Sequence, residues 1–177
     1  MTRKFLFCFP LRAGNMVFGY FILVVTIAVM AYNLYQLALS INSPEKVDTS
    51  KFKNWEKLEE LFGEKKETMV EMVAMVYYAS YIVIAFLMFI FSAMFTCGAY
   101  SVNNCLVSSF FLYSFFHLFL SIFLIVWEAT SEGWIQLGLV AGFDLILIIC
   151  LFSVKYLMEA IRTGNIYSRP GEVYYKY

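Results

Sequence analysis

Charge is scarce in this chain. Asp, Glu, Lys and Arg make up only 15% of its 177 residues, against about 25% in an ordinary soluble domain. The 13 basic and 13 acidic residues cancel, and no polybasic run occurs, so a nucleic-acid partner is not expected. There is one histidine, no CxxC pair, no metal-ligand cluster, no Gly-rich phosphate loop and no nucleophile elbow. Nothing in that inventory supports a reaction, so neither an enzyme nor a cofactor or metal is expected. Asn42-Ser43 is followed by Pro44, which leaves no N-glycosylation sequon, and Thr2 excludes myristoylation. Against these gaps stands an excess of apolar residues, at 62%, with 19 Phe and 13 Tyr. Mean hydropathy is +0.72. A water-soluble fold of this length cannot hide so much apolar surface, which excludes a soluble enzyme and identifies an integral membrane protein.

Four apolar stretches reach the roughly 20 residues that a membrane-crossing helix needs. The first, about 15–39, lies in a charge-free window from Ala13 to Pro44. A second window, Met72 to Trp127, contains no Asp, Glu, Lys or Arg and is far too long for one helix. It must fold back on itself, and the paired Asn103-Asn104 marks the turn, within Ala99–Asn104. Spans of about 72–98 and 106–127 result, followed by a fourth at about 134–154. Pro10, Pro44 and Pro170 all fall outside the spans, so the helices should run unbroken. The expected architecture is an all-α, four-helix transmembrane bundle forming a single domain, with an outer loop at 40–71 and a tail at 155–177.

Basic residues set the orientation. Arg3, Lys4 and Arg12 precede the first span with no acid among them, and Lys155, Arg162, Arg169 and Lys176 follow the fourth. The loop between spans one and two holds six Lys but eight acids, and the last loop only Glu128 and Glu132. The positive-inside rule then puts both termini in the cytosol and Trp55, Trp127 and Trp134 at the opposite face. The first span reads as an uncleaved signal anchor, since Arg12 interrupts the leading apolar run and no small-residue cleavage site follows.

Within the first loop, Phe52, Trp55, Leu58, Leu61 and Phe62 recur at helical spacing among Lys and Glu. They predict a short amphipathic helix that either lies on the bilayer or offers a partner-docking surface around Trp55, Phe52 and Leu58. Cys8, Cys97, Cys105 and Cys150 all map to the side of the termini, where no stabilising disulfide is expected. Cys8 is the one best placed for palmitoylation. The other three read as small buried apolar side chains.

Two ionisable residues lie at mid-span. His117 comes ten residues before Trp127 and Asp144 ten after Trp134, on spans joined by a short loop. They therefore share a depth on adjacent antiparallel helices. A charge at that depth costs about 2.5–3.5 kcal/mol on insertion scales, so each should face the bundle interior and meet the other, directly or through a water or Tyr113. Tyr113, Ser114 and Ser121 share the face of His117 and make a supporting polar stripe. The pair is either a structural tie or a proton-responsive site. Thr26, Asn33, Gln36 and Ser40 form a polar strip on span one, expected to hydrogen-bond between helices. Gly138 and Gly142 form a small-xxx-small pair, expected to pack closely against a neighbour.

The segment Phe7-Cys8-Phe9-Pro10-Leu11-Arg12-Ala13-Gly14, directly before span one, resembles the opening motif of a tetraspan group. That group includes the lysosome-associated four-span (LAPTM) proteins and an insect tetraspan family containing the Pasiflora proteins. Its members typically open with cysteines and then a Leu-Arg-Thr-Gly step at the membrane. Cys8, Leu11, Arg12 and Gly14 match this pattern, and Ala13 stands where Thr is usual. The resemblance implies a non-catalytic scaffold, junction or trafficking accessory that associates with other membrane proteins, with homo-oligomers an open option. It implies residence at a plasma-membrane junction or in the endolysosomal membrane. Mammalian lysosomal members carry PPxY tail motifs that recruit ubiquitin ligases; the tail here, ending Tyr174-Tyr175-Lys176-Tyr177, has none and looks more like the insect, septate-junction branch. The alternative function is a small transporter or channel subunit that uses His117 and Asp144.

Overall fold

The hydrocarbon of a bilayer offers no water to backbone N–H and C=O groups, so a chain this apolar must close its own hydrogen bonds. It does so in four long helices. A computed structural model describes residues 4–5, 9–42, 66–131 and 133–164. A two-residue strand β1 (Lys4–Phe5) pairs antiparallel with β2 (Phe9–Pro10). The helices follow as α1 (Leu11–Asn42), α2 (Lys66–Ser101), α3 (Asn104–Thr130) and α4 (Trp134–Thr163). Their most apolar windows have mean hydropathies of 2.1, 2.4, 2.1 and 2.5. The protein is an integral, multi-pass membrane protein built as an all-α four-helix bundle. Cys8, the loop residues Phe52, Trp55 and Leu58, and the tail beyond Gly164 lie outside the described residues.

All four helices outrun the spans expected from hydropathy. Residues 40–42 and 66–71, assigned to the outer loop, belong to α1 and α2, and residues 155–163, assigned to the tail, belong to α4. Hydropathy falls at the first charge, whereas helical hydrogen bonding continues through the headgroup layer. Gly164, at φ 70, ends α4 by donating its N–H to the carbonyls of Ala160 and Ile161. The turn between α2 and α3, called the inner turn after its expected side, is tighter than the six residues expected. Only Val102 and Asn103 separate α2 from α3, and Asn103 caps α3 by accepting from the Cys105 N–H at 2.9 Å. So short a turn forces β-branched Val102 to φ 57, a left-handed conformation it ordinarily avoids.

Consecutive helices pack side by side, while α1 touches α4 only sparingly. The core gathers at the end that holds Leu11, the inner turn and Thr163, called here the terminal end. Phe18 of α1 meets Phe95 of α2 and Phe110 of α3 edge-on, at ring-centroid separations of 6.2 and 6.5 Å, and Phe95 stacks on Phe110 at 4.5 Å. Ile22, Phe95, Val107, Phe110, Leu147 and Val154 have no exposed surface at all. Two glycines permit this closeness. A Cβ on Gly19 would collide with Thr96 and Phe95, and one on Gly98 would lie 2.7 Å from the Leu106 Cβ. Polar bonds lock the same end. Arg12 donates from Nε to the Ala99 carbonyl at 3.1 Å and from Nη2 to that of Tyr100 at 2.6 Å, capping the last turn of α2. Asn15 Nδ2 donates to Ser153 Oγ at 3.2 Å, joining α1 to α4, and Ser92 Oγ donates to the Gly19 carbonyl at 3.0 Å.

The cysteines divide. Cys150 is buried, as expected of a small apolar side chain, but Cys97 and Cys105 are exposed. They flank a turn too short to cover them, with Cys97 on the outer face of α2 and Cys105 in the first turn of α3.

Candidate functional site

Beyond the core, α1 and α4 part. The gap is a cavity of about 740 Å3, lined by all four helices and open on the side between α1 and α4. Its wall is mostly apolar, with a few polar groups converging at one end. His117 on α3 and Asp144 on α4 lie there, each 7% exposed, with Nε2 and Oδ1 3.9 Å apart. At that distance the two make no direct hydrogen bond. Nor does Tyr113 bridge them. Its ring stacks on Phe91 at 4.2 Å, outside the cavity, and its hydroxyl has no hydrogen-bond partner among the described residues. The same holds for His117 Nδ1 and Asp144 Oδ1.

The stripe around His117 is assembled by helical spacing. Val107, Phe110, Ser114, His117, Ser121 and Glu128 are all buried on one face of α3, at intervals of three, four or seven residues. Ser114 spends its hydroxyl on the Phe110 carbonyl at 2.8 Å, and Ser121 donates to Leu118 at 2.9 Å while facing Asp144. Ser121 lines the cavity; Ser114 does not.

Two expectations for the cavity wall are overturned. Thr26 and Asn33 were expected to bond between helices, but they donate within α1, to the carbonyls of Ile22, Leu23 and Val29. Helix α4 touches α1 only sparingly, and a cavity lies between them along this stretch. Gly138 and Gly142 were expected to pack closely. A Cβ on either would meet nothing within 4 Å, because both border the cavity where α4 has parted from α1. The close glycine contacts are those of Gly19 and Gly98.

A third buried ionisable group, assigned from sequence to the last loop, completes the site. Glu128 lies in the last turns of α3 and is 1% exposed. Its Oε1 accepts hydrogen bonds from the hydroxyls of Tyr77 and of Tyr81, the latter at 2.6 Å. Its Oε2 lies against Gly133, where a Cβ would collide with it. Tyr77 also packs against Trp127, with centroids 5.9 Å apart. The cluster ties α2 to the α3–α4 turn, and Tyr77, Tyr78 and Tyr81 form one wall of the cavity. Two signals in the sequence could have found it: a charge beside Trp127 at a span end, and two tyrosines four residues apart on span two.

Of the Phe7–Gly14 segment, Arg12 makes the clamp to α2, Gly14 is buried and Leu11 packs beside the core. No family model, curated protein or solved structure matches the chain. The chemistry within reach of the cavity is that of hydrogen bonding: an imidazole, a carboxyl group, hydroxyls and amides.

Proposed function

We propose that this is a non-catalytic four-span accessory protein, which works by binding other membrane components rather than by converting or conducting them. One observation carries the reading. The cavity ends blind at His117 and Asp144, and the terminal half beyond it is filled by side chains with no exposed surface, Ile22, Phe95, Val107, Phe110, Leu147 and Val154 among them. A recess backed by such a plug supports binding over passage. The likeness of Phe7–Gly14 to the LAPTM and Pasiflora tetraspans supports the same reading, with cytosolic termini and residence at a cell junction or in the endolysosomal membrane. The matching partners are other integral membrane proteins, held against the lipid-facing helices and the Trp55 loop.

Purification from native membranes in mild detergent, followed by mass spectrometry, tests this. A stoichiometric integral membrane partner is expected; a chain recovered alone at every detergent strength would count against it. A second reading draws on the reach of the cavity to the His117–Asp144 pair, which would make the protein a small proton-coupled transporter caught open to one side. Proteoliposomes separate the two. The accessory reading expects no pH-driven flux, whereas flux abolished by Asp144→Asn would replace it with the transporter reading.

A further inference from the structure

We infer that the cavity is a binding site for a neutral, hydroxyl-bearing hydrophobe of sterol size, drawn from the bilayer, with its hydroxyl received by His117 and Asp144. The inference rests on the reading of the protein as a binder and names what one of its surfaces binds.

Size comes first. At about 740 Å3 the cavity falls among small-molecule sites, which run from about 300 to 1,000 Å3 and are mostly apolar with a few convergent polar groups.

Chemistry narrows the class. His117 and Asp144 both line the cavity, each residue 7% exposed, with Nε2 and Oδ1 3.9 Å apart. A hydrogen bond that a ligand makes to such a group at mid-membrane gains more than it would in water. A hydroxyl both donates and accepts, and so can serve a carboxyl oxygen and an imidazole together. No Lys or Arg lines the cavity, so nothing there would balance the charge of a fatty-acid carboxylate or a phosphate headgroup. The body of the ligand would lie along Val25, Val29, Ala85, Leu139 and Phe143. Its route is lateral. Gly138 and Gly142 leave the α4 rim without side chains, and nothing lies within 4 Å of either Cβ position.

The test uses the full chain in phosphatidylcholine nanodiscs with a photoreactive cholesterol analogue, the labelled residues being mapped by mass spectrometry. Saturable labelling of the α1 and α4 walls is expected, displaced by excess cholesterol but not by its methyl ether, which cannot donate. Asp144→Leu should weaken binding about tenfold or more, the loss expected for a hydrogen bond to a charged or strongly polar group. Gly138→Trp, which adds a large side chain at the cavity rim where a Cβ meets nothing within 4 Å, should abolish cavity labelling while leaving thermal stability unchanged. Equal displacement by the methyl ether, or unchanged labelling in Gly138→Trp, would overturn the inference. If cavity labelling fails while a membrane-protein partner still co-purifies, the ligand is refuted and the accessory reading stands.

Discussion

The two halves of this bundle are made from the same helices and behave oppositely. At the terminal end, three phenylalanines interlock over Gly19 and Gly98, and α1 is bonded to both α2 and α4. At the other end, α2 and α3 remain joined through Tyr77, Tyr81 and Glu128, but α1 and α4 separate around a cavity. Apolarity cannot be the cause, since in lipid apolar faces gain little from meeting one another. What differs is shape and polar pairing. Where glycine admits a neighbour and a donor finds an acceptor on the next helix, the halves of the seam meet; where Thr26 and Asn33 bond their own backbone, they do not.

The contrast can be broken, and the most severe break is in the packed half. Phe95→Ala should cost about 3–5 kcal/mol, read by denaturant unfolding in detergent, whereas Leu139→Ala on the cavity rim should change stability little. Equal losses at the two positions would erase the distinction. Glycine substitutions should part in the same way. Gly19→Val forces Thr96 and Phe95 aside at about 1–3 kcal/mol, while Gly138→Ala should be neutral or slightly stabilising because alanine is the better helix former. A destabilised Gly138→Ala would mean that α1 and α4 close in the membrane. Glu128→Ala removes the shared acceptor of two tyrosine hydroxyls, a loss of about 2 kcal/mol for two bonds; Glu128→Gln, which keeps an acceptor, should recover part of it. The smallest effect is at His117 and Asp144. A double-mutant cycle to Leu should give a coupling of about 0.6 kcal/mol, with each single change costing more than the pair together. Strict additivity would show that the 3.9 Å separation carries no interaction.

The number of helices, their order and the place of the inner turn could all be read from the sequence, because each depends on local composition. Depth could be read too. Equal spacing from one short turn puts His117 and Asp144 at one level, and in the structure they face each other. What escaped depends on chain segments far apart in sequence. Glu128 looks exposed beside Trp127 until Tyr77 and Tyr81, 51 and 47 residues earlier, are brought against it. Gly138 and Gly142 look like a packing seam, but spacing along one helix says nothing of whether another helix arrives. Gly19 carried no such pattern and makes the contact. Helix ends were underestimated for a different reason: hydropathy reports solvation, and Lys155, Glu159 and Arg162 remain helical where solvation changes.

The bonds from Arg12 and Asn15 also have a mechanical meaning. Asn15 fastens α1 to α4 at one end and leaves the rest of that seam joined by little else, while α1 stays packed on α2, through Arg12 and then Leu37, which reaches the Tyr77–Tyr78 cluster. Any change in the gap must therefore carry α1 and α2 together, away from α4. Asn33 lies 18 residues beyond Asn15, about 27 Å along the axis, so a tilt of about 10° of that pair would swing it by about 5 Å. Bilayer thickness acts on helix tilt at a cost of only fractions of a kcal/mol per Å, so the width of the gap is expected to vary with the lipid around it.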